Sequence, residues 1–393
     1  MSTQPIQRPF DFQWYERFLL DDLLPRWLEV AVTDEGLFRN QFDRRWRPIG
    51  EPVGTVVAQT RLLYNFATGY GLTRDERYLR AVEAGARFLI EKFRDPEHGG
   101  WFHSVGPGGA VLDDHKNAYD FAFVIFGLSH AARVTGDGAF KAAMLDAWDL
   151  LDTRFRDKHG GFIRHLGRDF TPNEDRRTQN PTMHLFEALL AAADVEPVML
   201  ERAEQVGRFV VGRLIRWDGQ PCLPELFDLD WRPLPKERGG YVCLGHQFEW
   251  AWLLSHAVEK GLPGWWVSPA TDLLQFGLRV AMDEDGGVMA RSTPEGEILS
   301  AGKGWWEQCE SNRALMHHAL MRGRADLWPA AHQAAEFVRT RYVDPESGGW
   351  YSGIASEPTA TQPHKGGGFK VDYHVVGMCA EAIRLARMDS AQA

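Results

Sequence analysis

Apolar positions along this chain follow helical spacing, interrupted at regular intervals by glycine turns. Phe121, Val124, Ile125 and Leu128 stand at i, i+3, i+4 and i+7, which is one face of an α-helix. YLRAVEAGARFLIEKF (78–93) and WPAAHQAAEFVRTRY (328–342) are rich in Ala, Leu, Glu and Arg, residues that lose little freedom in a helix. The pattern predicts helices near 13–29, 55–70, 76–93, 115–134, 138–155, 180–193, 197–214, 245–260, 266–281, 304–321, 326–341 and 373–387. No Val/Ile-rich strands alternate with them, which leaves no material for a parallel sheet.

The interruptions recur. DEGLF (34–38), HGGWF (98–102), HGGFI (159–163), DGQPC (218–222), DGGVM (285–289) and SGGWY (347–351) share one form. Their marker residues Gly36, Gly100, Gly161, Gly219, Gly287 and Gly349 are 64, 61, 58, 68 and 62 residues apart. Glycine reaches the positive φ of a tight turn and the residues that follow favour short strands, so each copy predicts a small hairpin. Six helical pairs of equal length close most economically into a ring. The expected fold is therefore all-α, an (α/α)6 barrel, with an open helical array as the alternative. No Pro/Ser-rich linker or change of composition divides the chain, so residues 1–393 are read as one catalytic domain.

Composition narrows the function. With 44 Lys plus Arg against 54 Asp plus Glu, the formal net charge is −10. That balance repels phosphate backbones and anionic lipid, which argues against nucleic acid or membrane as partners. No uncharged apolar run approaches the ~20 residues that span a bilayer, and the MSTQPIQRPFDFQ segment has no apolar signal region. Cys222, Cys243, Cys309 and Cys379 show no CxxC spacing and are read as buried thiols of a cytoplasmic protein.

Polar residues share the period of the turns. Arg61 (QTRLLYNF), Tyr119 (KNAYDFAF), His184 (NPTMHLFEAL), His246 (GHQFEWAWLL), Trp306 (KGWWEQCES) and His374 (KVDYHVVGMC) are 58, 65, 62, 60 and 68 residues apart. Each falls near the start of an alternate helix, where a ring would gather them at one mouth. Asp120, Asn180, Glu249, Trp305 and Glu310 accompany them. Asn180 before Pro181 reads as a helix cap. His246 and Glu249, at i and i+3, share a face on which the carboxylate would orient the imidazole. Aromatic faces for pyranose C–H groups, with charged groups for hydroxyls, predict a sugar site. A lone histidine on an apolar helix is ordinarily a hydrogen-bonded core residue; six polar positions in phase are not explained that way. His98, His103, His159, His165, His317 and His318 are read as surface or loop residues. There is no HExxH motif, no CxxC and no glycine-rich phosphate loop in a strand–turn–helix context, so no metal is expected.

These motifs resemble the N-acylglucosamine 2-epimerase family, which includes cellobiose and mannose 2-epimerases and mannose isomerases, over most of the chain from QTR (59–61) to DYH (372–374). The resemblance implies an (α/α)6 barrel that rearranges free reducing sugars without a cofactor. It implies that His246 and His374 are the acid/base pair, that Arg61 binds the oxygens at C1 and C2, that Glu249 supports His246 and that His184 assists ring opening or binds a sugar oxygen. Tyr119, Asp120, Asn180, Trp305, Trp306 and Glu310 would line the pocket. One departure stands out: Gly377 replaces an arginine that cellobiose-type members carry three residues after the last histidine. The expectation is therefore a monosaccharide such as mannose, glucose or fructose, while KGWWEQCE looks more like the epimerase branch. Two other readings stay open, a glycoside hydrolase or lyase using Asp120 and Glu310 and a non-catalytic sugar-binding protein. A homodimer is the assembly to test.

Overall fold

The computed structural model describes residues 10–353 and 364–392, so most of the MSTQPIQRPFDFQ segment lies outside them. Among the described residues twelve helical runs occur: α1 (12–31), α2 (Val56–Thr73), α3 (Glu76–Lys92), α4 (Ala118–Thr135), α5 (Gly138–Arg154), α6 (Asn180–Ala192), α7 (198–214), α8 (Leu244–Glu259), α9 (267–281), α10 (Trp305–Met321), α11 (Trp328–Arg341) and α12 (Tyr373–Gln392). The even-numbered helices pack on one another in succession, and α12 returns to α2. Each odd-numbered helix covers the inner one before it, and α1 covers α12. This is the (α/α)6 barrel, closed by the earliest helix lying against the last.

Burial follows from that geometry. Residues 56–67 of α2 are all buried, which is the mark of a helix surrounded on every side. The outer helix α3 buries Tyr78, Ala81, Val82, Gly85, Ala86 and Leu89, a single stripe, and leaves its charges in water. All four cysteines are buried and unpaired with one another. None of the described helices is long and apolar enough to cross a membrane.

The six glycine turns are six one-pair hairpins: Val32 with Phe38, Arg94 with Trp101, Arg156 with Phe162, Arg216 with Cys222, Met282 with Val288, and Val343 with Trp350. Gly36 sits at φ 91°, a conformation that side chains resist. In the fifth turn the positive φ belongs to Gly286 rather than Gly287, because DGG closes one residue earlier there.

Two devices fix where the inner helices begin. Short antiparallel strands link the loops of neighbouring repeats: Gly54–Thr55 with Ser104–Val105, Lys116–Asn117 with His165–Leu166, Arg177–Thr178 with Leu226–Phe227, and Val242–Cys243 with Arg291–Ser292. The fourth predicted helix therefore starts at Ala118 instead of 115. In addition, an aspartate of the turn grips a cation just ahead of the next inner helix: Asp95 with Lys116 at 3.0 Å, Asp157 with Arg177 at 2.5 Å, and Asp344 with Lys365 at 2.8 Å. The charged atoms of these pairs are largely shielded from water, so losing one partner would strand the other.

His317 and His318 are not surface residues. Both are fully buried on α10, where His317 bonds Glu381 and Ser255 and His318 bonds the Ala251 carbonyl. Their helix is enclosed on every side, with Glu307–Ala319 all buried, so it has no surface face.

Candidate active site

The inner helices start around one mouth, and the residues there enclose a cavity of about 490 Å³. Arg61, Tyr119, Asn180, His184, His246, Glu249, Trp305, Trp306 and His374 all line it. Residues from three connecting loops and six helices thus meet where the helix N-termini carry partial positive charge, a setting that favours an anion.

Arg61 is held from three directions. Its guanidinium donates to the Phe369 carbonyl and to the Tyr119 hydroxyl, both at 2.7 Å. It lies over the Phe123 and Tyr373 rings at 4.4 and 4.9 Å. Its Nε is buried without a partner.

His246 and His374 stand on either neighbour of one indole: the Trp306 ring centre is 4.8 Å from His246 and 5.6 Å from His374. Gly245 permits this approach, since a Cβ there would fall 2.7 Å from Trp306 and 2.6 Å from Glu307. Each imidazole is oriented by a buried carboxylate. His246 Nδ1 meets Glu225 Oε2 at 2.7 Å, and His374 Nδ1 meets Glu310 Oε1 at 2.7 Å. Glu225 is fixed in turn by Thr178 Oγ1 at 2.9 Å and Gln179 Nε2 at 2.8 Å.

The two histidines are driven apart electrostatically. Burial acts to lower His246, but Cys243 and Glu225 outweigh it and hold the imidazole well above its ordinary value. Burial also pushes the Cys243 thiol up, so at neutral pH the Glu225 charge carries the effect. His374 lies well below its ordinary value because of burial, with Arg61 and His184 adding repulsion. Around neutral pH the first ring carries a proton and the second offers a lone pair.

His184 is near Glu187, at 3.5 Å, and burial lowers it. Burial opposes the ionised form of Glu187, yet His184 and Arg313 draw it down to about 2. Glu310 is raised to about 7, chiefly by burial. Glu249 is raised well above the carboxylate range by burial and by Glu310, and both of its oxygens are buried without partners. A protonated Glu249 offers the cavity a hydrogen-bond donor.

Four expectations need correction. Glu249 does not support His246: its carboxylate lies 3.9 Å from His184 Nδ1, on the neighbouring helix, and Glu225 takes the place beside His246. Asp120 does not line the cavity, because its carboxylate turns to His103 Nδ1 at 2.7 Å. Asn180 is not a cap; it is the first residue of α6, its backbone N–H donates to Thr178 Oγ1, and its own Oδ1 is buried without a partner. Glu310 reaches the site only through His374. Gly377 borders a separate cavity of about 200 Å³ beyond Glu187 and Arg313, where a Cβ would lie 3.4 Å from the guanidinium of Arg313. Gly377 therefore lies outside the lining of the main cavity.

Sequence reasoning missed Glu225, Tyr241, Arg291, Glu307, Phe369 and Lys370, all but Glu307 in loops outside the helical period. Buried groups able to ligate a metal also cluster here, Glu225 with Cys243 and His246, and Glu249 with Glu310 and His374, each set within 4.8 Å. The hydrogen bonds His246–Glu225 and His374–Glu310 account for much of that closeness.

Similarity to known proteins agrees with this arrangement. A family model described as N-acylglucosamine 2-epimerase (GlcNAc 2-epimerase) matches residues 36–378. The D-mannose isomerase of Marinomonas mediterranea is 27% identical over 395 residues, covering 95% of this chain and 98% of that protein. The cellobiose 2-epimerase of Bacteroides fragilis is 25% identical over 393 residues, covering 94% and 98%. A crystal structure of a D-mannose isomerase superposes with a TM-score of 0.88 at 25% identity over 96% of this chain and 99% of that one. This chain is an isomerase belonging to the N-acylglucosamine 2-epimerase family.

Proposed function

We propose that the protein interconverts free reducing sugars of the mannose class, without a cofactor, by histidine-mediated proton transfer through a cis-enediolate. The observation that carries this reading is the pairing in one cavity of a histidine held neutral, His374, with one held protonated, His246, beside the Arg61 guanidinium. A hydrogen at C2 of an open-chain aldose is weakly acidic, so its removal needs a positioned base that is unprotonated at the working pH and a cation at the developing charge. His374 takes the proton from C2. Arg61 receives the enediolate oxygens. His246 then returns a proton, to the opposite face of C2 for epimerisation or to C1 for a ketose. Glu249 and Asn180 hold hydroxyls.

Mannose is the first substrate to test, because both the Marinomonas relative and the superposed crystal structure are named D-mannose isomerase. Cellobiose is the comparison, given the name of the Bacteroides relative. Incubation with each sugar in deuterated water, followed by NMR, should place deuterium on C2 of an epimer or C1 of a fructose-type product. Sugars recovered unlabelled and unchanged would overturn the reading. A hydrolase reading has no matching observation, as Asp120 faces His103 and Glu310 faces His374.

The same assignment fixes a pH dependence. His246 must be protonated to act, so activity declines as pH rises through its pKa. Glu225→Gln removes the charge that holds this pKa up, and the alkaline limb of kcat/KM should move to lower pH by about one to three units. The acidic limb, set by His374, should stay in place. An unshifted alkaline limb in Glu225→Gln would remove His246 as the acid.

A further inference from the structure

Beside the active-site cavity lies a second pocket of about 320 Å³, sharing Tyr119, Asn180, Glu225, Tyr241 and Phe369 with it and bordered by His103, Asp120 and His165. The mechanism above uses none of these last three. His103 and His115 stack with ring centres 4.4 Å apart, and His165 is 5.7 Å from His115. Each of the stacked rings has its Nδ1 against a carboxylate at 2.7 Å, His103 on Asp120 and His115 on Asp113. A carboxylate accepting from Nδ1 fixes the tautomer and leaves the lone pair on Nε2, the arrangement found behind metal-bound histidines.

Two further features point to a missing ligand. Asp120 is only 2% exposed, yet its Oδ1 has no hydrogen-bond partner. His115 Nε2 is likewise buried and unpartnered. Polar atoms left so cost stability unless something fills the place. His103, His115 and Asp120 each offer a ligand atom within 4.8 Å of the others. A tetrahedral ion with bonds of about 2.0–2.1 Å separates its ligands by about 3.3 Å. Binding therefore requires the three side chains to draw together by up to about 1.5 Å.

We propose that His103, His115 and Asp120 bind a divalent transition-metal ion of the class that favours imidazole and carboxylate, such as Zn²⁺. The ion does no chemistry on the sugar. It ties the start of α4, and hence Tyr119 and its bond to Arg61, to the loops carrying His103 and His115. His165 stands ready as a further ligand.

The proposal is tested with metal binding rather than turnover, so its failure is distinct from failure of the sugar chemistry. The full chain, stripped with chelator, is titrated calorimetrically with Zn²⁺, and separately with Co²⁺ while the visible spectrum is followed. The expected result is one ion per chain with the absorption of imidazole-ligated Co²⁺. His115→Ala and His103→Ala should each weaken binding by at least about tenfold, with helical circular dichroism unchanged. Should His115→Ala misfold, His115→Gln gives the same comparison with a smaller change of shape. Absence of stoichiometric binding would overturn the proposal. So would binding that survives His115→Ala and His103→Ala but is lost in Cys243→Ser, which would put the ion at His246 instead.

Discussion

His374→Asn is expected to lower kcat by about 10²- to 10⁴-fold, the usual loss when a positioned general base is removed. Asparagine keeps polarity and approximate shape near Trp305, Trp306 and Glu310, but it has no lone pair able to take a proton from carbon. Its amide can still bond Glu310, so the buried carboxylate is not left alone and helical circular dichroism should match the parent. Deuterium exchange into substrate should fall with turnover, since both report removal of the same proton. Near-parental exchange in this variant would take His374 out of the mechanism.

The second large effect is expected from Arg61. Arg61→Lys should cost about 10²- to 10³-fold in kcat, comparable to losing one donor of an oxyanion site. Charge is retained, but the planar fork is not. Lysine cannot donate at once to Tyr119, to the Phe369 carbonyl and to two adjacent sugar oxygens, nor does it stack on Phe123 and Tyr373 as the guanidinium does. A variant that keeps kcat and raises only KM would show that Arg61 binds the ground state and the enediolate equally.

The fold was legible because a ring repeats its own grammar. Six turns at near-equal intervals, with two helices between most of them, leave few other ways to bury so many apolar faces. The cavity was legible for the same reason: Arg61, Tyr119, His184, His246, Trp306 and His374 lie in the first two turns of successive inner helices and converge at one mouth. What lay outside that symmetry was hidden. Glu225 sits in a loop, where no period marks it, yet it bonds His246 and helps hold its pKa up. Asp120 follows Tyr119 directly, but consecutive helical residues diverge by about 100°, so one faces the cavity and the other faces His103. Glu249 shares a face with His246, and the sequence shows the shared face without showing that the adjoining helix offers His184 to the longer side chain. The pair at His317 and His318 was misplaced although its helix was read as one of those that start at the mouth, because a helix enclosed on every side leaves no surface face for them.

Closure of the ring has a consequence for how the molecule comes into being. Trp27 on α1 donates to Asp372 Oδ2 at 2.9 Å, two residues before His374, across 345 positions of sequence. A ribosome completes α1 long before α12 exists to cover it, so the apolar stripe of the early helix must wait, exposed, for nearly the whole of translation. Competence and completeness therefore coincide. A prematurely terminated product would hold five-sixths of the ring and lack His374, and quality control would meet it as a sticky fragment.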